Sequence, residues 1–380
     1  MNATAETPAP LETLLRPPAE LKYAEELAYL AEIDEGPRPF SWHLSPRMIR
    51  TFILGPSSQE SIDRDISQKW FGDPSLVERA IVTLASDRAL LLLGEPGTGK
   101  SWLAELLAAA IAGNSTYVVQ GTAGTTEDQI KYSWNIAMVI ADGQSPQALI
   151  PSPIMKGMNK GSIARFEELT RCTSDVQDAL ISLLSEKYVS IPELGEGSIV
   201  HAQPGFNIIA TANTRDRGVN DLSAALKRRF NFVTIPVLSN KKIEKEIVSF
   251  RVEELLARNN FQVDLSPALL DLLIQTFADL RESARAAATE EERLGTALST
   301  AEQIGVLEDA VLQGKFFGDD ELTASILARS LVGTLVRRTP DDVSILNKFW
   351  HAVVDKRATS DGGLWKEFAL GGKDAMKAFK

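Results

Sequence analysis

Gly94-Glu95-Pro96-Gly97-Thr98-Gly99-Lys100-Ser101 matches the pattern G-x-x-x-x-G-K-[ST] at every fixed position. A loop of this kind wraps phosphates with backbone N–H groups, so its closest points must carry no side chain. Its lysine reaches the β- and γ-phosphates, and its serine offers a hydroxyl to Mg²⁺. The flanks agree. Arg88–Leu93 is a short apolar run suited to a buried parallel strand. The residues after the loop, to about Ala112, read as a helix whose positive N-terminal end faces the same anion.

Working outward, Asp73-Pro74 pairs a capping aspartate with proline at the first helical position, so a helix is expected from there to about Ala85. Thr116–Gln120, Ser162–Phe166, Phe206–Thr211 and Asn231–Ile235 are strand candidates, with helices at Thr173–Glu186 and Asp221–Arg229 between them. This alternation predicts an α/β fold, a parallel sheet flanked by helices. From Lys241 the pattern is helical: Lys242–Ala257, Pro267–Glu282, Thr300–Gln313, Asp320–Arg337 and Asp341–Val354. Ser299 followed by Glu302 is a capping box that marks one of these starts. The expected organisation is a disordered tail over 1–20 and a helical extension over 21–71, with helices at Leu21–Ile33, Pro46–Leu54 and Ser58–Ser67. A nucleotide-binding α/β domain over 72–240 and an all-helical lid with a C-terminal extension over 241–380 complete it.

The 380 residues carry a net charge of −11. Neutralising phosphates along a nucleic acid takes clustered Lys and Arg, so a nucleic-acid partner is disfavoured. No run approaches 18 apolar residues, which argues against a membrane span. The N-terminus lacks a basic start followed by an apolar core, and the single cysteine, Cys172, forms no intrachain disulfide, so the cytoplasm is the expected compartment. Three scattered histidines, His43, His201 and His351, do not make a His/Cys metal cage.

Phosphate chemistry also needs a carboxylate beside the metal and a base for the attacking water. These are expected at the end of an apolar strand next to the strand that feeds the phosphate loop. Ser162-Ile163-Ala164-Arg165-Phe166-Glu167-Glu168 is the best match, with Glu167 on the metal and Glu168 on the water. Arg165 interrupts the apolar run, and the alternative is a pair of acids opening a solvated helix.

From about Asp73 to Ile235 the order of elements resembles the MoxR type of AAA+ ATPase, in the helix-2-insert clade, and the likeness extends through the lid to about Gly314. Glu168-Leu169-Thr170-Arg171 and Asp175-Val176-Gln177-Asp178-Ala179-Leu180 resemble that family's acidic segment and following helix, with Ser185–Ile191 in place of its Glu-Arg-rich turn. The Phe-Glu-Glu version is most similar to the YehL branch. The resemblance implies ATP and Mg²⁺ as cofactors, and it places three further residues. Asn213, ending Phe206–Asn213, resembles the sensor-1 asparagine that contacts the γ-phosphate or the water. In Leu226-Lys227-Arg228-Arg229-Phe230, Arg229 aligns with the arginine finger that reaches a neighbouring subunit, and the adjacent Arg228 is the other candidate. Two positions depart from the family. Glu167 stands where Asp is usual, and Ala301 in Ser299-Thr300-Ala301 stands where a lid arginine is usual, with Arg293 a candidate substitute. Both bear on the hydrolysis rate.

Trp134–Val139, Asp142-Gly143 and Ala148–Ile150 read as a hairpin at the position of the clade's insert, and a second hairpin is expected around Glu193–Gly197. In the family such hairpins line the pore of a ring. The resemblance therefore implies a homo-oligomeric ring, a hexamer, acting as a chaperone-like motor with a von Willebrand factor A domain protein as partner. Two other readings stand beside it. One is a nucleotide-gated scaffold with little turnover. The other is a nucleic-acid-linked NTPase, since Asn213-Thr214-Arg215-Asp216-Arg217 is similar to a run in McrB-type motors, which use GTP. The tryptophans and Cys172 are expected to be packing residues.

Overall fold

The computed structural model describes residues 14–58, 60, 62–213, 222–238, 240–263, 265–287, 298–318, 320–336 and 340–379. These fall into two compact units. One comprises the chain up to Gly94 together with Gly99–Ile235, and the other comprises Glu95–Thr98 with the chain from Pro236 onward.

The first unit opens with three helices, α1 (Ala19–Lys22), α2 (Ala24–Glu32) and α3 (Pro46–Leu54), followed by α4 (Pro74–Leu84). Capping explains two of the starts. The Ser45 side chain accepts from the Met48 N–H with Pro46 next in line, and the Asp73 carboxylate accepts from the Ser75 N–H ahead of Pro74. The expected single helix over Leu21–Ile33 breaks at Tyr23, whose φ of −112° leaves the helical region. Among the described residues of Ser58–Ser67, the expected helix does not form. There Glu60 turns back to accept from the Ser57 N–H and the Thr51 hydroxyl, and these bonds hold a turn.

Strand β1 (Ala89–Gly94) leads to helix α5 (Lys100–Ala112), and β2 is Val118–Gln120. Then come β3 (Tyr132–Trp134), α6 (Ile136–Asp142), β4 (Leu149–Pro151), α7 (Pro153–Lys160), β5 (Ile163–Glu167) and α8 (Ser174–Glu186). The unit closes with β6 (Tyr188–Ser190), β7 (Ile199–His201), β8 (Asn207–Asn213), α9 (Ala224–Lys227) and β9 (Phe230–Ile235). The main sheet has the order β2-β5-β8-β1-β9, with every pair parallel. This is the predicted parallel sheet. It corrects one expectation: the strand carrying Glu167 does not neighbour the loop strand, because β8 lies between them.

The expected first hairpin is present as the antiparallel pair β3 and β4, but the apolar stretch at 136–142 is helical. The Asn135 side chain caps that helix by accepting from the Met138 N–H, and Gly143, at φ 79°, ends it. The second hairpin, β6 and β7, spans the expected Glu193–Gly197 loop.

The N-terminal helices belong to the same core as the loop helix. Tyr23, Leu30, Ile49, Phe52 and Ile53 share one apolar cluster with Leu103, Leu106 and Leu107 of α5. Within it Lys69 is buried, its ammonium donating to Glu26 at 2.5 Å and to the Phe52 and Ser67 carbonyls at 2.9 and 2.8 Å. Burial pushes its pKa down from the ordinary lysine value. Residues 1–13 of the expected tail lie outside the described residues, whereas the rest of it is held. Arg16 reaches Glu105 at 2.9 Å, and Glu20 accepts from Ser115.

The second unit is helical. Its helices are α10 (Lys241–Asn259), α11 (Pro267–Ala286), α12 (Thr300–Phe317), α13 (Ala324–Leu335), α14 (Pro340–Phe349), α15 (Asp355–Ser360) and α16 (Gly363–Lys377), with a π-helical turn at Trp350–Val354. The capping box is formed, with Ser299 and Glu302 bonded reciprocally. The last stretch, which sequence left without an assignment, is settled by Trp350. That indole is fully buried, stacks on Phe368 at 5.3 Å between centroids, and donates to the Ala369 carbonyl at 3.0 Å. Gly372 faces it so closely that a Cβ there would overlap the ring, which is why α16 tolerates glycine at its centre.

Candidate functional site

The loop strand β1 is buried except at the half-buried Leu93 and ends at Gly94. Gly99 then adopts the left-handed conformation at φ 84° as the N-cap of α5, and no side chain caps the helix. A helix start without a side-chain cap is the arrangement that suits an anion at a helix N-terminus. The Thr98 hydroxyl donates to the Glu95 carbonyl, bracing the turn, and Lys100 lies with its ammonium on the Gly94 carbonyl at 3.1 Å.

The acidic pair stands at the end of β5, which places it across β8 from the loop. Glu167 crosses that distance. Its Oε2 accepts from the Ser101 hydroxyl at 2.6 Å and from the Thr211 hydroxyl at 2.7 Å. Its Oε1 accepts from Arg165 at 2.7 Å through Nη2 and at 3.2 Å through Nε. Octahedral Mg²⁺ takes oxygen ligands at about 2.0–2.1 Å, which puts neighbouring ligands about 2.9 Å apart. The separation of Ser101 Oγ and Glu167 Oε2 is within a few tenths of an ångström of that, and both are hard oxygen donors. The residues present thus suit the Mg²⁺ that the resemblance implies.

Glu168 sits at φ 58°, a left-handed conformation that costs a non-glycine residue roughly 1–2 kcal/mol. Its N–H donates to Thr211 Oγ1 at 3.0 Å, and its carboxylate accepts from Asn213 Nδ2 at 2.7 Å. Thr211 therefore joins the two acids, accepting from the backbone of one and donating to the side chain of the other. Gly121 approaches the same turn: its N–H donates to the Glu167 carbonyl at 2.7 Å, and a Cβ there would lie 2.6 Å from the Glu168 carbonyl oxygen.

Glu167, Glu168, Ser101 and Asn213 are thus brought together. The two arginines are elsewhere in this unit. Arg229 is bound within its own chain, donating to the Ser185 hydroxyl and to the Ala225 carbonyl at 2.6 Å. Arg228, which ends α9, is exposed. Arg293 and the 214–217 part of the McrB-like run lie outside the described residues. Sequence reading missed Thr211 and the use of Arg165. The signal for the second was available: Arg165 and Glu167 are two apart on a strand and share a face.

The two hairpins approach each other beside a hollow of about 540 Å³, lined among others by Glu127, Tyr132, Trp134, Glu186, Tyr188 and Glu193. The Tyr132 hydroxyl donates to Glu193 at 2.8 Å. Burial, with that carboxylate adding to it, pushes the phenol's pKa up to about 12. Ile136, Ile140, Ile150, Tyr188 and Ile199 on these hairpins are exposed.

Comparison with known proteins gives the class first. Residues 89–230 match the family described as the AAA domain of the dynein-related subfamily. Residues 242–371 match the YehL-like AAA+ ATPase C-terminal domain. The chain is 44% identical to the YehL protein of Escherichia coli strain K12 over 356 residues, covering 93% of this chain and 96% of that protein. It belongs to the YehL-like AAA+ ATPase family. It is also 26% identical to YojN of Bacillus subtilis strain 168 over 220 residues, 54% of this chain and 71% of that protein. Among solved structures, NtrX from Brucella abortus in complex with ADP aligns with a TM-score of 0.48 at 13% identity. That alignment covers 80% of this chain and 64% of the other, just under two thirds of its length. Among the described residues, no helix is long and apolar enough to cross a membrane.

Proposed function

We propose that this chain binds ATP with Mg²⁺ at residues 94–101 and hydrolyses it, acting in the cytoplasm as a ring-forming, chaperone-like motor on a partner protein. The observation that carries the hydrolysis reading is the division of labour between two adjacent carboxylates. Glu167 is held on Ser101 at 2.6 Å and Glu168 on Asn213 at 2.7 Å. Ser101 and Glu167 would hold the metal; when bound, it offsets the negative charge on the β- and γ-phosphates. Lys100 would leave the Gly94 carbonyl for the phosphates, and the N–H groups at the start of α5 would orient them. Glu168 would align the attacking water and draw its proton, with Asn213 holding the carboxylate until the γ-phosphate offers Asn213 a competing acceptor.

The partner reading rests on surface chemistry. Five exposed apolar side chains gather on the two hairpins, and the net charge of −11 suits a protein client better than nucleic acid. The family resemblance adds the expectation of a von Willebrand factor A domain partner and a hexameric ring in which Arg228 or Arg229 reaches the neighbouring site.

A second reading, a nucleotide-gated scaffold, is favoured by one observation: Arg229 is already engaged within its own chain. Phosphate release measured across protein concentrations, with particle mass determined in ATP, separates the two. The motor reading expects turnover that climbs as the particle grows. Tight ATP binding without turnover in every assembly state would leave the scaffold.

A further inference from the structure

We propose that Arg165 is a positioning residue that aims Glu167 at the metal, and that Glu105 on the loop helix holds Arg165 for this task. The inference rests on the reading of residues 94–101 as a Mg²⁺–nucleotide site. A glutamate at this position has one more rotatable bond than an aspartate, so its carboxylate must be restrained to present one oxygen reproducibly. The restraint is visible atom by atom. Oε2 of Glu167 faces Ser101, while Oε1 accepts both Nη2 and Nε of Arg165. The guanidinium is itself fixed by its remaining donors. Nη1 reaches the Ser115 carbonyl at 3.1 Å and Nη2 the Ser101 carbonyl at 3.2 Å. The second of these ties the arginine to the backbone of the residue whose hydroxyl faces the same carboxylate.

A cation beside a metal site would oppose metal binding if it stood alone. Here Glu105 lies 3.8 Å from Nη1, and both the Arg165 and Glu105 side chains are almost wholly buried. Glu105 shares the guanidinium charge with Glu167, so the arginine opposes a metal less than it would alone while the Glu167 carboxylate loses its freedom to swing. Glu105 is pinned in turn by Arg16 at 2.9 Å and by the Ala19 N–H at 3.2 Å. A structural ion pair alone would need neither the single-oxygen grip on Glu167 nor the bond back to Ser101.

The test is binding of a fluorescent ATP analogue by the full chain, first in EDTA and then along a Mg²⁺ titration, with melting temperature recorded for each protein. For Arg165→Met we expect the Mg²⁺ midpoint to rise tenfold or more with affinity in EDTA unchanged. Arg165→Lys should recover part of the shift, and Glu105→Gln should move it the same way by less. In a Glu167→Gln background, Arg165→Met should add no further shift, since its effect runs through that carboxylate. If Arg165→Met fails to fold, Arg165→Lys and Glu105→Gln read the same quantity. A wild type that binds the analogue with no Mg²⁺ dependence overturns the reading of the site itself. A Mg²⁺-dependent wild type whose variants share its midpoint overturns the positioning role alone. So do equal losses with and without Mg²⁺ that follow the melting temperature.

Discussion

Thr211 and Glu168 show how closely single side chains are set. One hydroxyl accepts from the Glu168 N–H and donates to Glu167, so Thr211→Val should disturb both acids at once. The expected result is a fall in phosphate release with the fold intact by circular dichroism. Glu168→Gln removes the carboxylate expected to take the water's proton, a contribution typically on the order of 10²–10⁴-fold. Turnover should drop by that order while binding of the ATP analogue persists. Lys100→Ala should instead abolish binding, because the ammonium is the loop's charge for the phosphates. Cys172 belongs to this scale too. It is fully buried, and burial raises its thiol pKa, so few thiolates form near neutral pH. A thiol reagent should react at the rate of unfolding, and fast modification of the native chain would contradict its burial.

Elements were legible in the sequence to the degree that their cause was local. The loop helix, the helix after Asp73-Pro74 and the capping box at Ser299 each carry their start signal within a few residues, and all three form. The segment at 136–142 went the other way because its apolar side chains fit either period, and the deciding cap, Asn135, was absorbed into the expected strand. The order of the sheet was hidden for a different reason. Nothing in a strand's own residues states which strand it will pair with, so β8 between β5 and β1 could only be seen in the fold. The same holds for α16, whose Gly371-Gly372 make sense only once the Trp350 ring arrives from 22 positions earlier. Overpacking a tight core contact costs typically about 1–3 kcal/mol. Gly372→Ala should therefore lower the denaturation midpoint markedly, whereas alanine at Gly362, with nothing within 4 Å of its would-be Cβ, should be resisted only by its backbone angle.

At the scale of the whole molecule, the proposed ring would need groups that one chain cannot supply to itself. Arg228 is exposed, while Arg229 is engaged at Ser185 and Ala225. Comparing Arg228→Ala with Arg229→Ala for turnover at saturating protein concentration assigns the trans role to whichever loses activity without losing assembly. Equal retention of activity in both would remove the finger from this pair.

The N-terminal helices change what counts as the nucleotide-binding domain. The phosphate-loop motif and its sheet, with helix α4 ahead of them, lie C-terminal to residue 73, and a protein trimmed there would keep every recognisable signature. It would also strip Tyr23, Leu30, Phe52 and Ile53 from one flank of α5, and remove the Lys69 carbonyl that receives the Trp102 indole at 2.9 Å. What remained would present a wet apolar wall on the helix that follows the phosphate-loop motif. The smallest portable version of this ATPase fold therefore begins well upstream of its motif, and swapping or grafting it between proteins must carry the preceding sixty or so residues as cargo.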